Sequence, residues 1–288
     1  MSLEARPADE RITGPLPEAG RWRSFTDFYL TSMRTSIQRG FQYRIAQYFY
    51  MFGMLAEPVI YLVVWSTVAR QNGGAVDGIT PGQFAAYYIV WTLVRQMNIV
   101  FTPFGWEWRI REGQFAGQLL RPIHPLHYDL ADIAGWKFVV IVLWLPIAVA
   151  LTLLFHPTLH PGAEQIAVFA VAIWGAYLVR TMALWLLGLI SFWTTRVNAI
   201  FDTYFVAELL LSGRLVPLQL MPPWVQRLAD FLPFKWTFGY PIQTLTGGLT
   251  RAQLFEGLAA QAFWTLAGLA LIQVVFRRAV RRFTSVGN

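Results

Sequence analysis

The chain has 288 residues, of which 56% are hydrophobic, 16% aromatic and only 14% charged; its formal charge is +7 and it has no cysteine. Globular domains carry about 25% charged residues; so few charges could mean a large buried core, but the apolar runs are too long for that and exclude an ordinary soluble fold. The absence of cysteine excludes disulfides, thiolate nucleophiles and Cys-based metal sites. The basic balance does not point to nucleic acid: no nucleic-acid-binding motif accompanies it, and in a membrane protein an arginine surplus marks the cytoplasmic faces.

Residues 1–20 are polar, contain proline and have no apolar h-region, which predicts a flexible cytoplasmic tail and no cleavable signal peptide. Over 21–44 aromatic and basic residues interleave. Trp22, Phe25, Phe28 and Tyr29, with Met33 and Ile37, are set against Arg21, Arg23, Arg34, Arg39 and Arg44. The spacing predicts an amphipathic helix lying along the membrane interface; an ordinary solvated helix is the plainer alternative.

The rest, 45–288, reads as an all-α, polytopic transmembrane domain of six helices. Phe138 to Phe155 carries no charge at all, and about 18 or more apolar residues are what a bilayer core ~30 Å thick requires of a helix. The predicted spans are 46–69, 84–104, 133–155, 166–193, 197–217 and 254–276. The fifth is the weakest, holding Asp202, Glu208 and Arg214. With the N-terminus cytoplasmic, sixteen Lys and Arg residues (Lys137 among them) fall on the cytoplasmic side and five on the other. That bias predicts an N-in, C-in topology.

Two connections are too long to be turns. The first, 105–132, is predicted to be cytoplasmic. It sets Trp108, Ile110, Phe115, Leu119 and Leu120 among charges that include Glu112, before Pro122 and Pro125 end its helical part. Such a loop suits the docking of a soluble partner. The second, 218–249, is predicted to be extracytoplasmic. It combines Pro222, Pro223, Pro233 and Pro241 with Trp224, Phe231, Phe234, Trp236 and Tyr240. That density predicts short broken helices at the interface, dipping where protein shields their backbone.

Ionisable side chains within spans are costly and are functional candidates by default. Glu57, before Pro58, is read as paired with Arg95 or Arg180, against the alternative of an ion-coupling carboxylate. Arg180 has Asp202 or Glu208 as a structural partner, against the alternatives of lining the pathway or binding an anionic substrate group. His124 and His127, near Asp129 and Asp132, have the composition of a metal site, but Pro125 breaks the helix that would align them, and no metal is expected. No GxSxG or HExxH occurs, so no catalytic residue is assigned.

Both connections resemble those of ABC-2-type permeases. In the first, Glu112-Gly113 precedes Leu119, Leu120, Arg121 and Pro122; in the second, LLSGRLVPLQLMPPWVQRLADFLPFKWTFGYP carries the SG, P…LPPW-like and LPF elements. The chain is most similar to short single-domain permeases that work with a separate ATPase. The resemblance implies an exporter subunit in the cytoplasmic membrane of a bacterium, paired with a second permease as a homo- or heterodimer. Two ATP-binding subunits would hold the ATP and magnesium. Trp108, Ile110, Glu112, Phe115, Leu119 and Leu120 would form the coupling helix, with 21–44 flanking it. Pro222, Pro223, Trp224, Pro233 and Phe234 would close the outer side of the pathway. No GxxxxGK[ST] occurs, which fits hydrolysis in a partner. The substrate implied is hydrophobic or amphipathic. The alternatives are a gradient-driven carrier working through Glu57, or an intramembrane enzyme using His124 and His127.

Overall fold

The computed structural model describes residues 21–100, 103–194 and 197–282; the tail predicted over 1–20 and the side chain of Trp22 lie outside what it describes. Among the described residues the fold is all-α and has no strand. In chain order the helices are α1 (Arg21–Gln42), α2 (Arg44–Gly53), α3 (Ala56–Gln71), α4 (Pro81–Met97), α5 (Pro103–Arg111), α6 (Gln114–Leu119) and α7 (Pro125–Phe155). There follow α8 (Ala163–Leu189), α9 (Val197–Leu211), α10 (Pro223–Phe231), α11 (Phe234–Thr237), α12 (Gly239–Thr246) and α13 (Arg251–Val280).

Among the described residues four stretches are long and apolar enough to cross a bilayer: Arg44–Gln71, Pro125–Phe155, Ala163–Phe192 and Arg251–Val280. Outward-facing apolar side chains follow helical spacing along them, as with Phe138, Val142, Leu145, Val149 and Leu153 on α7. The predicted second and fifth spans are shorter than expected. At 1.5 Å per residue the 17 residues of α4 and the 15 of α9 reach only about 25 and 22 Å.

The helix ends gather in two groups. At one end the start of α7 meets the last turns of α8 and α13, under the bent pair α5–α6, through a cluster built on Trp106, Phe115, Leu126, Trp185 and Ile272. At the far end Thr158 donates to the Gly82 carbonyl (3.0 Å), and Arg251 pairs with Glu164 (2.9 Å). The central helix is α4, with nearly every side chain from Phe84 to Met97 buried. Its course along α8 is resumed by α5: Asn98 lies beside Arg180, and eight residues further along each chain Trp106 lies beside Gly188. A Cβ at Gly188 would collide with the Trp106 indole, so only glycine admits this contact.

α4 therefore ends inside the bundle, where the last four carbonyls of a helix have no intrahelical donor. Two buried cations answer them. Lys137 of α7, fully enclosed, donates to the carbonyls of Gln96 (2.7 Å) and Ile99; Arg180 of α8 donates to the carbonyl of Asn98. This corrects the expectation that Lys137 marks the cytoplasmic surface: its ammonium is turned into the bundle by the demand of α4.

α1 runs along the first half of α7. Its apolar stripe is spent on that helix, with Phe28 against Tyr128 (4.7 Å between ring centroids) and Phe25 against His127 (5.0 Å). Ser36 donates to the Asp132 carbonyl (2.6 Å), and Arg39 pairs with the Asp132 carboxylate. The helices touch backbone to backbone at Gly135, where a Cβ would lie 2.5 Å from the Met33 oxygen.

Lys137→Met removes two charge-assisted hydrogen bonds and leaves buried carbonyls without donors, a loss of about 3 kcal/mol. A titration of the detergent-solubilised chain with sodium dodecyl sulfate is expected to show the lowered midpoint; an unchanged midpoint would show that α4 does not need this lysine.

Candidate functional site

The bent pair α5–α6 is built outward from Asp129. Its carboxylate receives two hydrogen bonds from Arg109 of α5 (both 2.9 Å) and one from the Trp185 indole of α8 (3.0 Å), tying three helices at one point. The turn between α5 and α6 runs through Gly113, whose φ of 66° is costly for any residue with a Cβ. The coupling residues predicted from sequence then separate. Phe115 is wholly enclosed against Trp106, Phe192 and Phe276, and Ile110 and Leu119 pack partly on the same cluster. Phe115 thus leaves no surface for a partner; the hydrophobic demand of the loop's own core claims it. Trp108 (53% exposed), Glu112 and Leu120 (88% exposed) face outward.

His124 caps α7, its Nδ1 accepting from the Leu126 N–H (3.2 Å), and its ring lies 4.1 Å from that of Phe276. Burial, with His127 nearby, pulls its pKa down to about 4. Burial raises the Tyr29 phenol to about 12, where its hydroxyl meets the His127 Nδ1 at 2.7 Å. His127, Asp129 and Asp132 are thus each engaged elsewhere, and among the described residues no group of three or more His, Asp or Glu converges as a metal site.

Among the described residues, the paired charges predicted within the fourth, fifth and first two spans form two clusters. Arg180 makes a two-pronged pair with Glu208 (2.7 and 2.8 Å), which is fully buried; Tyr204 adds a weaker contact to that carboxylate (3.4 Å). Glu208 is therefore the partner of Arg180, while Asp202 faces outward from α9. In the second cluster Glu57 is shared by Arg95 (2.5 Å) and Arg214 (3.0 Å). Arg214, placed by sequence reasoning within the fifth span, instead lies in the turn beyond α9, which stops at Leu211, where the chain runs along α4. Tyr87 and Tyr88 donate to the carbonyls of Gly213 (2.7 Å) and Leu215 (3.0 Å).

The residues predicted to form an outer gate occupy the broken helices. Pro222 and Pro223 open α10, where a missing N–H costs nothing, and Pro233 precedes α11. Trp224 is 62% exposed, and Phe234 packs on Tyr204 (5.3 Å). α11 lies deep in the bundle: the Asn98 amide donates to the Thr237 carbonyl, and Gln261 of α13 donates to that of Trp236 (2.8 Å). Sequence reasoning missed Asn98, Lys137 and Gln261 as structural residues. Their signal was a polar side chain in an apolar run, visible for Lys137 but read as a boundary charge.

Arg180→Ala strands the Glu208 carboxylate and is expected to cost about 3–5 kcal/mol. The double change Arg180→Met, Glu208→Leu should cost less than the two single changes together; additive losses in an unfolding titration would remove the pair. A second test uses pH. His124 binds its proton more weakly folded than unfolded, so its contribution is complete above about pH 6.5 and fades as pH falls toward about 4. Amide exchange in α5–α6 should accelerate over that window. His124→Asn, which caps without titrating, should flatten the response.

A family model described as ABC-2 family transporter protein matches residues 55–287, from the start of α3 to beyond α13. No curated protein matches the chain. The match spans most of the chain and covers both long connections, the paired charges and the broken helices. The chain is a membrane protein that belongs to the ABC-2 transporter family, whose members are membrane subunits that generally work with an ATPase partner.

Proposed function

We propose that this chain is the permease subunit of an ATP-driven exporter that moves a hydrophobic or amphipathic molecule outward across the cytoplasmic membrane of a bacterium. It crosses six times with both termini cytoplasmic: through α2–α3, α4–α5, α7, α8, α9 and α13. The alternating directions of these helices support that count, as does the way α5 continues the line of α4 along α8. The arginine-rich last turn of α13 and the α5–α6 pair then share the cytoplasmic side.

The observation that carries the proposal is the presentation of α5–α6. A rigidly clamped two-helix projection with Trp108, Glu112 and Leu120 exposed at its tip suits a coupling helix seated in an ATPase. Two copies of that ATPase bind ATP and magnesium; this chain supplies neither phosphate loop nor catalytic group. α1 flanks the coupling helix as the interface element, and the broken segment 218–249 closes the pathway on the outer side. A second permease, identical or related, covers α9, whose outward face carries Asn198, Asp202 and Thr203 beside Val206 and Leu210. A carboxylate facing lipid is costly, which favours a protein neighbour there. Glu57 is paired with two guanidiniums, an arrangement that favours a structural role over the gradient-driven alternative.

Affinity purification of the tagged chain from its native membrane in mild detergent is expected to bring down a P-loop ATPase and measurable ATP hydrolysis. Trp108→Asp combined with Leu120→Asp should release that subunit at least tenfold while leaving thermal stability unchanged. Phe115→Asp should instead destabilise the chain itself. A chain that purifies alone and hydrolyses no ATP overturns the reading.

A further inference from the structure

The two charge clusters differ in what answers their positive charge and in access. At Arg180 the guanidinium meets one carboxylate, with side chains 10% and 0% exposed, and it and the neighbouring Lys137 are further answered by the carbonyls at the end of α4. At Glu57 two guanidiniums share one carboxylate, and the side chains of Glu57, Arg95 and Arg214 are 28%, 18% and 19% exposed. The second cluster carries an unanswered positive charge and has an opening.

The surplus belongs to Arg214. Arg95 is spent on Glu57 and on the Met54 carbonyl at the end of α2 (3.4 Å). Arg214 reaches Glu57 through Nη2 alone, and its Nε is buried with no acceptor. Beneath both guanidiniums lies Trp91, its ring centre 5.2 Å from Arg95 Cζ and 5.9 Å from Arg214 Cζ; its Nε1 is likewise buried without an acceptor. Two donors without acceptors beside a net positive charge are what a bound anion would satisfy, because buried N–H groups left unpaired are costly. Water would satisfy the hydrogen bonds but not the charge.

The surroundings narrow the ligand. Glu57, Ile60 and Val64 lie at helical spacing on one face of α3, and Ile60 and Val64 are 57% and 49% exposed. An exposed apolar stripe thus begins one turn from the cluster. Arg95 lies 14 residues into α4, about 21 Å from the far end, on the side nearer to α5–α6. A charged head at the arginines with a tail along α3 fits this arrangement.

We infer that Arg95, Arg214 and Trp91 form a binding site for the anionic head of an amphipath (a carboxylate, phosphate or sulfate ester), with its apolar tail along Ile60 and Val64. The inference rests on the transport reading, since it assigns a substrate class to that pathway. Glu57 holds the two arginines apart and sets the affinity: it positions them and repels the ligand.

The full chain in neutral maltoside micelles is titrated with dodecyl phosphate by calorimetry, beside dodecylphosphocholine, which has the same tail and no net charge, and inorganic phosphate, which has no tail. Saturable binding of dodecyl phosphate is expected, weakened at least tenfold by Arg214→Gln, less by Arg214→Lys, and tightened several-fold by Glu57→Gln. Should Arg214→Gln fail to fold, Arg214→Lys and Glu57→Gln still move affinity in opposite directions. Equal binding of dodecylphosphocholine, or indifference to these changes, overturns the site. Inorganic phosphate binding as tightly as dodecyl phosphate assigns a soluble anion and overturns the amphipath. No ATPase is needed, so failure here leaves the exporter reading standing, and a chain without an ATPase partner leaves this result standing.

Discussion

The architecture depends on the end of α4. A helix that stops inside an apolar bundle exposes carbonyls carrying roughly half a negative charge, with no water to receive them. Here Lys137 and Arg180 supply the missing donors, and Glu208 returns most of the surplus charge. A single ionised residue in mid-helix costs about 2.5–3.5 kcal/mol to insert. Two cations, one carboxylate and a helix terminus together come close to balance, so the cost of each is offset by the others. The same layer receives Asn98, which reaches the Thr237 carbonyl and so ties the broken helices to the point where α4 ends.

Other interruptions meet near this layer. α2 gives way to α3 around Met54, whose carbonyl Arg95 approaches; α9 ends at Leu211, and the Ser212 carbonyl accepts from Gly239 (2.7 Å) where α12 begins. Non-helical backbone survives within a membrane only where protein satisfies it, and each of these breaks has its own side-chain or main-chain partner. α7, α8 and α13 are continuous by contrast. α8 and α13 meet at small residues, with Gly268 against Met182 and Gly175 against Gln261. The molecule divides into an uninterrupted wall and a set of broken elements that pack on it through a shared apolar cluster, with Trp91, Leu143, Ile173 and Ile242 among its members, and that are tied to it by polar bonds at the breaks.

Much of this was legible in the sequence. The uncharged run of Phe138 to Phe155 announces its helix, the aromatic spacing of Phe25, Phe28 and Tyr29 announces an amphipathic one, and the proline pattern of 218–249 announces broken helices. The lengths of α4 and α9 were not legible. Hydropathy continues past Met97 and Leu211, while helical geometry stops because distant residues (Lys137, Arg180 and Gly239) offer the backbone other partners. Nor did composition show which apolar residues of the cytoplasmic loop face inward. Phe115 and Leu120 look alike in sequence; only the cluster around Trp106 and Phe276 distinguishes them. Long-range pairing likewise decides that Arg214 and Arg95 share Glu57, since 157 residues separate Glu57 from Arg214.

The contrast between the two charge clusters bears on how one fold can combine rigidity and transport. At Arg180 every charge is answered inside the chain, the side chains are closed off, and the bonds hold α4, α8 and α9 together. At Arg214 the charge is left in surplus, the side chains keep an opening, and the chain bearing it is a non-helical turn after α9. A buried surplus of this kind lowers stability in the empty protein, because desolvation is incurred without full Coulombic return. An incoming anion recovers that energy, and only in conformations where Arg95, Arg214 and Trp91 remain together. A conformational change that separates α3 from the turn at Arg214 would therefore weaken the site, and the same surplus that captures an anion would release it.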